Sequence, residues 1–190
     1  HEQTRRMLTA AKEAGLSVKM HADEIVPFGG AELAAELGCL SADHLLRISD
    51  AGIKALAESN TVATLLPCTA FSLRADYAPA RKMIDAGCAV ALGSDLNPGS
   101  CFSASVPLMF ALATLYMGMT VEEAITALTI NGAAAIGRAD TIGSIEPGKK
   151  GDLVVLQLCR EVLPEVVRQN LAECCDIFTE KGVFDHEQTR

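Results

Sequence analysis

Short apolar runs alternate with amphipathic stretches through the first 117 residues, and this alternation predicts a series of strand–helix units. Residues 2–14 space Leu8, Ala11 and the stem of Lys12 at helical intervals and run into Gly15, a helix stop. Four units follow. Strand 17–21 leads to helix 30–37, which ends at Gly38. Strand 42–45 leads to helix 50–58. TVATLL at 61–66 is β-branched and continuous, as a buried parallel strand is, and leads to helix 78–86, which starts near Pro79 and stops at Gly87. CAVALG at 88–93 leads to helix 103–117. Repeated units of this kind with short loops imply a parallel sheet or barrel with right-handed crossovers.

The texture then changes. Thr120-Val-Glu-Glu123 is a capping box opening helix 120–128, and a short helix over 130–136 ends at Gly137. IGSIEPGKKGDLVVLQL reads as turn, Pro-Gly turn and strand, outside the barrel proper. EVLPEVVRQNLAE reads as a helix and CCDIFTEKG as another buried strand with an acidic end. The pentapeptide HEQTR occurs at 1–5 and again at 186–190. Joined through it, the two ends read as strand, loop and helix without a break.

Composition narrows the classes. The 190 residues suit one domain to one and a half. That is enough for a core, but short of the roughly 250 residues of a complete (β/α)8 barrel. A hydrophobic fraction of 49% with only 4% aromatics requires a core of Ala, Leu, Val and Ile. A net charge of −8 argues against nucleic acid and against an anionic membrane surface. No apolar run approaches the roughly 18 residues of a membrane span, and no secretory signal is visible. Seven cysteines without a CxxC pair, two of them adjacent at Cys174 and Cys175, read as reduced thiols in a cytoplasmic protein.

Three polar stations carry the candidate chemistry. Each ends a strand-like run, where parallel α/β barrels place their active sites. His21 in VKMHADE is followed three residues later by Glu24. A neutral imidazole suits zinc or iron(II), and a nearby carboxylate can bind substrate nitrogens or move protons. Asp23 is read as a structural cap. His44 in SADHL follows Asp43, which strand alternation is expected to point the other way. Asp95 in ALGSDLNPGS precedes a turn whose Asn97, Gly99 and Ser100 offer an amide side chain, a hydroxyl and backbone N–H groups. Arg74, Lys149, Lys150, His1 and His186 are read as surface residues. Each station alone is an ordinary strand end; together they point to a site.

HADE, GGAELAAELGCLSADHL, TVATLLPCTAFSLR, LGSDLNPGS, TINGAAAIG and IGSIEPGKKGDLVVL, in this order over residues 1–157, resemble the imidazolonepropionases of the amidohydrolase superfamily. The resemblance implies α/β architecture: part of a metal-dependent (β/α)8 TIM barrel, with a short β segment of a small accessory domain. It implies hydrolytic opening of 4-imidazolone-5-propanoate to N-formimidoyl-L-glutamate in histidine degradation, with one divalent metal, zinc or iron. His21 and Asp95 would be metal ligands. Glu24 would hold the ring and help proton movement. His44 would orient or deprotonate the attacking water, Asp95 would also accept a proton, and Asn97, Gly99 and Ser100 would contact substrate.

Two departures change what is expected of this chain. The family's His-x-His pair on its first barrel strand has no counterpart, since HxH occurs nowhere in the sequence. Residues 161–190 resemble the family segment that immediately precedes residue 1. The expected organisation is therefore the C-terminal half of the barrel with following helices (1–137), accessory β segment (138–158) and displaced helix–strand segment (159–190). Such a partial barrel, of about five strands, is expected to close as a homo-oligomer and to show little activity alone. The expected partner is a small-molecule substrate. The alternatives are a non-catalytic half-barrel module needing a partner chain, or a related amidohydrolase such as a deaminase of a nitrogen heterocycle.

Overall fold

Four βα units set the architecture. The computed structural model describes residues 1–150 and 163–169. They belong to two units, 1–150 and 151–190. In chain order the first unit carries α1 (Glu2–Glu13), β1 (Lys19–Ala22), α2 (Gly30–Leu37), β2 (Ser41–His44), α3 (Asp50–Ala57), β3 (Val62–Leu65) and α4 (Pro67–Leu73). These are followed by α5 (Ala80–Asp85), β4 (Val90–Leu92), α6 (Val106–Tyr116), α7 (Val121–Leu128) and α8 (Ile130–Ala135). The second unit is described at α9 (Leu163–Arg168), within the helix expected there. The strands expected over LVVLQL and CCDIFTEKG, and the second HEQTR, lie outside the described residues.

Local chemistry accounts for the element ends. Gly38 closes α2 in the left-handed conformation, φ 61°, which costs a residue without Cβ nothing. The Ser49 hydroxyl accepts the Gly52 N–H at 2.9 Å and opens α3. Thr120 and Glu123 form the expected reciprocal capping box at α7. α6 starts three residues later than expected, because Ser105 is its cap and accepts the Leu108 N–H at 3.3 Å. α4 was not expected. Pro67 occupies its first turn, where the missing N–H is no loss, so the apolar run 61–66 passes directly from strand into helix.

The four strands lie in one parallel sheet in the order β1-β2-β3-β4. One face of the sheet, including Ala22, Ala42, Ala63, Leu65, Val90 and Leu92, packs on the helices in the main core. The small side chains let the helices approach closely. A Cβ on Gly30 would stand 3.0 Å from the Cβ of Ala22 and 3.1 Å from its Cα. On the other face Val62 and Ala91 meet Ala135 of α8, while Lys19 and Asp43 form an ion pair at 3.5 Å. Among the described residues the sheet has the four strands expected of the βα units. No described helix is long and apolar enough to cross a membrane.

Candidate metal centre

The C-terminal ends of β1, β2 and β4 are strained in one shared way. Asp23 (φ 47°), His44 (φ 75°) and Asp95 (φ 53°) all have left-handed backbones, as does Leu45 (φ 61°). Non-glycine residues rarely adopt this conformation, and such strain concentrates at functional sites. At β1 the strain has a visible support. The Asp23 carboxylate accepts the N–H groups of Phe28 (2.8 Å), Gly30 (3.1 Å) and Ala31 (2.9 Å). It thereby folds the 24–29 loop onto the start of α2, the capping role read from sequence, and sends Glu24 back over the strand end.

At β2 the strain decides the site. Asp43 is in register with His21, and Lys19, Ser41 and Asp43 meet on one face, with Ser41 Oγ donating to Asp43 at 2.5 Å. Simple alternation would send His44 to the opposite face, away from His21. The left-handed turn at His44 and Leu45 brings it back. Pairing continues past the strand, Leu45 N–H to Ala22 O at 3.1 Å and Arg47 N–H to Asp23 O at 2.7 Å.

The result is a contact between the two imidazoles, His21 Nδ1 to His44 Nε2 at 2.8 Å. The rings are tilted by 31° with centroids 4.8 Å apart. Glu24 Oε1 lies 3.5 Å from His44 Nδ1. One ligand-type atom from each of His21, Glu24 and His44 lies within 4.8 Å of the others. His44 is 3% exposed, and among the described residues its Nδ1 makes no hydrogen bond. A buried polar atom without a hydrogen bond is costly, and the group facing this nitrogen is the Glu24 carboxylate. Burial pushes the His44 pKa down, Glu24 pulls it back up and His21 adds to the lowering. A neutral imidazole is the form that ligates a metal or accepts a proton. Two imidazoles and a carboxylate are a fitting donor set for a divalent transition metal.

Asp95 is not one of this close group. It follows β4, and its Oδ2 accepts the hydroxyl of Thr69 at 2.8 Å. Thr69 is 3% exposed and lies in the first turn of α4. It was not among the residues read from sequence, because the helix that places it was not expected. The loop after Asp95 is built by Asn97. Its Oδ1 accepts the N–H groups of Gly99 and Ser100, both at 2.8 Å, and its Nδ2 donates to the Asp95 carbonyl at 2.7 Å. Sequence reasoning offered those two backbone N–H groups as free donors. Here they are taken, because an asparagine side chain mimics a turn and satisfies the amides beyond it. The loops after β1 and β4 expose Ile25, Val26, Phe28, Leu96 and Phe102, and α4 exposes Phe71. Arg74 is exposed, as expected.

Comparison with known proteins follows the same lines. The model of the amidohydrolase family matches residues 1–179. The chain is 67% identical to an imidazolonepropionase of Parabacteroides distasonis over 173 residues, covering 90% of this chain and 42% of that protein. It is 64% identical to one of Bacteroides thetaiotaomicron, covering 95% of this chain and 43% of that protein. It thus spans about two-fifths of the length of the curated relatives it matches. Among solved structures it resembles a zinc-bound adenosine deaminase from Xanthomonas campestris, with a TM-score of 0.63 and 21% identity over 86% of this chain and 44% of that one. A guanine deaminase from C. acetobutylicum with bound guanine gives a TM-score of 0.60 and 19% identity over 76% of this chain and 40% of that one. These two likenesses concern the fold.

Proposed function

Because the chain belongs to the amidohydrolase family, we propose that its residues serve the metal-dependent opening of a cyclic amide. The proposed substrate is 4-imidazolone-5-propanoate and the product N-formimidoyl-L-glutamate. Identities of 64–67% to imidazolonepropionases support this over a deaminase, which the fold likeness alone would allow. The observation that carries the reading is the close group of His21, Glu24 and the buried His44 at the strand ends.

The proposed roles are those that the resemblance to imidazolonepropionases implies, with Asp95 joining the ion from outside the close group of His21, Glu24 and His44. His21 and Asp95 hold the ion, zinc or iron. When bound, such an ion lowers the pKa of water and polarises a carbonyl. His44, kept neutral by burial, orients the attacking water or takes its proton. Asp95 accepts a proton on the way to the leaving nitrogen. Glu24 reaches the ring nitrogens from the loop after β1. Asn97, Gly99 and Ser100 form the loop wall that substrate meets. The reaction site is cytoplasmic, and the chain acts as a homo-oligomer in which the open sheet is closed.

Metal analysis with an activity assay tests the reading. The 190-residue chain should bind a zinc or iron(II) ion that His21→Ala and Asp95→Ala each release. Alone it should open the ring far more slowly than a full-length relative, since catalytic zinc sites have three protein ligands and the HxH pair is not in this sequence. Binding unaffected by either substitution would refute the ligand assignment. Loss of imidazolonepropanoate absorbance at the relative's rate would refute the need for further ligands.

A further inference from the structure

The hydroxyl of Thr69, in the first turn of α4, meets the Asp95 carboxylate beyond the end of β4. The last backbone bond between β3 and β4 runs from Gly93 N–H to Leu65 O at 3.0 Å. Beyond it β3 turns into α4 and β4 runs to Asp95. Thr69 Oγ1 donates to Asp95 Oδ2 at 2.8 Å across this gap, from a side chain that is 3% exposed. The left-handed backbone of Asp95 places its Cβ, yet the terminal torsion of a carboxylate is broad and roughly two-fold. Nothing in φ and ψ selects which oxygen faces which way. A hydrogen bond to an ionised carboxylate is among the stronger kinds and does select.

We propose that Thr69 is a positioning residue for Asp95: its hydroxyl commits one carboxylate oxygen and so fixes the plane in which the other is offered as a ligand. This rests on the reading of Asp95 as a metal ligand. Partners of this kind, one bond removed from a metal, typically change affinity about 10- to 100-fold when they are lost. Thr69→Val keeps the shape and removes only the donor. Thr69→Ser keeps the donor.

Zinc affinity of the 190-residue chain, read by competition with a chromophoric chelator, and the visible bands of its cobalt(II) form test the proposal. With melting and circular dichroism near those of the parent, Thr69→Val should weaken zinc about tenfold or more and shift the cobalt bands. Thr69→Ser should stay near the parent. In an Asp95→Asn background, Thr69→Val should change affinity no further. If Asp95→Asn weakens zinc but Thr69→Val leaves affinity and cobalt bands as in the parent, the positioning role is wrong and the ligand reading stands. If Asp95→Asn itself binds zinc as the parent does, the ligand reading fails and this inference falls with it. Should Thr69→Val not fold, Thr69→Ala is read by the same outcomes.

Discussion

A single buried carboxylate shows how much of this site depends on individual side chains. Asp23 is 6% exposed, has a left-handed backbone and accepts three main-chain N–H groups. Asp23→Ala would leave those donors unsatisfied and should lower stability by about 2–3 kcal/mol, as expected when hydrogen bonds to a charged group are lost. Urea denaturation checks this, and Asp23→Asn should recover part of the loss because an amide oxygen still accepts. His44 is the contrasting case. Its identity as a candidate was legible from SADHL, but its orientation was not. Strand alternation sends it away from His21, and the positive φ at His44 and Leu45 reverses that. A dihedral of that kind has no signature in a single sequence unless the residue is glycine.

Elements were more legible than dihedrals. The helix over 30–37 ends where Gly38 stops it, and those over 50–57 and 121–128 begin where Ser49 and the Thr120–Glu123 box cap them. The helix at 67–73 escaped, because a β-branched run flows into it without punctuation other than Pro67. Two predictions belong here. Arg81 pairs with Glu123 through two bonds, 2.8 and 3.0 Å, tying α5 to α7. Arg81, and then the Thr120 N–H, hold the Glu123 carboxyl below its ordinary value of 4.5. The folded pKa is thus below the unfolded one, so the contribution is present above about pH 4.5 and is lost as pH falls through the folded value. In Glu123→Gln the melting temperature should fall less steeply than in the parent as pH is lowered from 5 to 3; parallel curves would show that the pair does not couple to folding. At the packing of α2 on β1, Gly30→Ala places a methyl about 3 Å from Ala22 and should cost about 1–3 kcal/mol by overpacking. Denaturation measures it, and the loop carrying Glu24 should loosen with it, seen as faster amide exchange at Phe28.

For the whole molecule, the decisive feature is a parallel sheet whose described strands run from β1 at one side to β4 at the other. Among the described residues β1 and β4 each pair along one edge only, and unpaired edges recruit further strands. The exposed apolar residues Ile25, Val26, Phe28, Leu96 and Phe102 stand on loops after the same strands, a pattern that marks interaction surfaces. Association into dimers or larger homo-oligomers is the expected outcome in size-exclusion chromatography with light scattering. A stable, folded monomer at the same concentration would remove the pairing reading, leaving closure to chain of another kind.

The amino-acid sequence by itself determined the succession of strand and helix apart from α4, the polar residues at three strand ends and the family they resemble. Those properties follow from side-chain periodicity, helix caps and short motifs, all of which act within a few residues along the chain. Tertiary structure alone decided that His21, Glu24 and His44 meet within 4.8 Å and that Thr69 reaches Asp95. Contacts across 23 and 26 residues of chain depend on strand register and on backbone dihedrals that packing stabilises, and no local pattern encodes either.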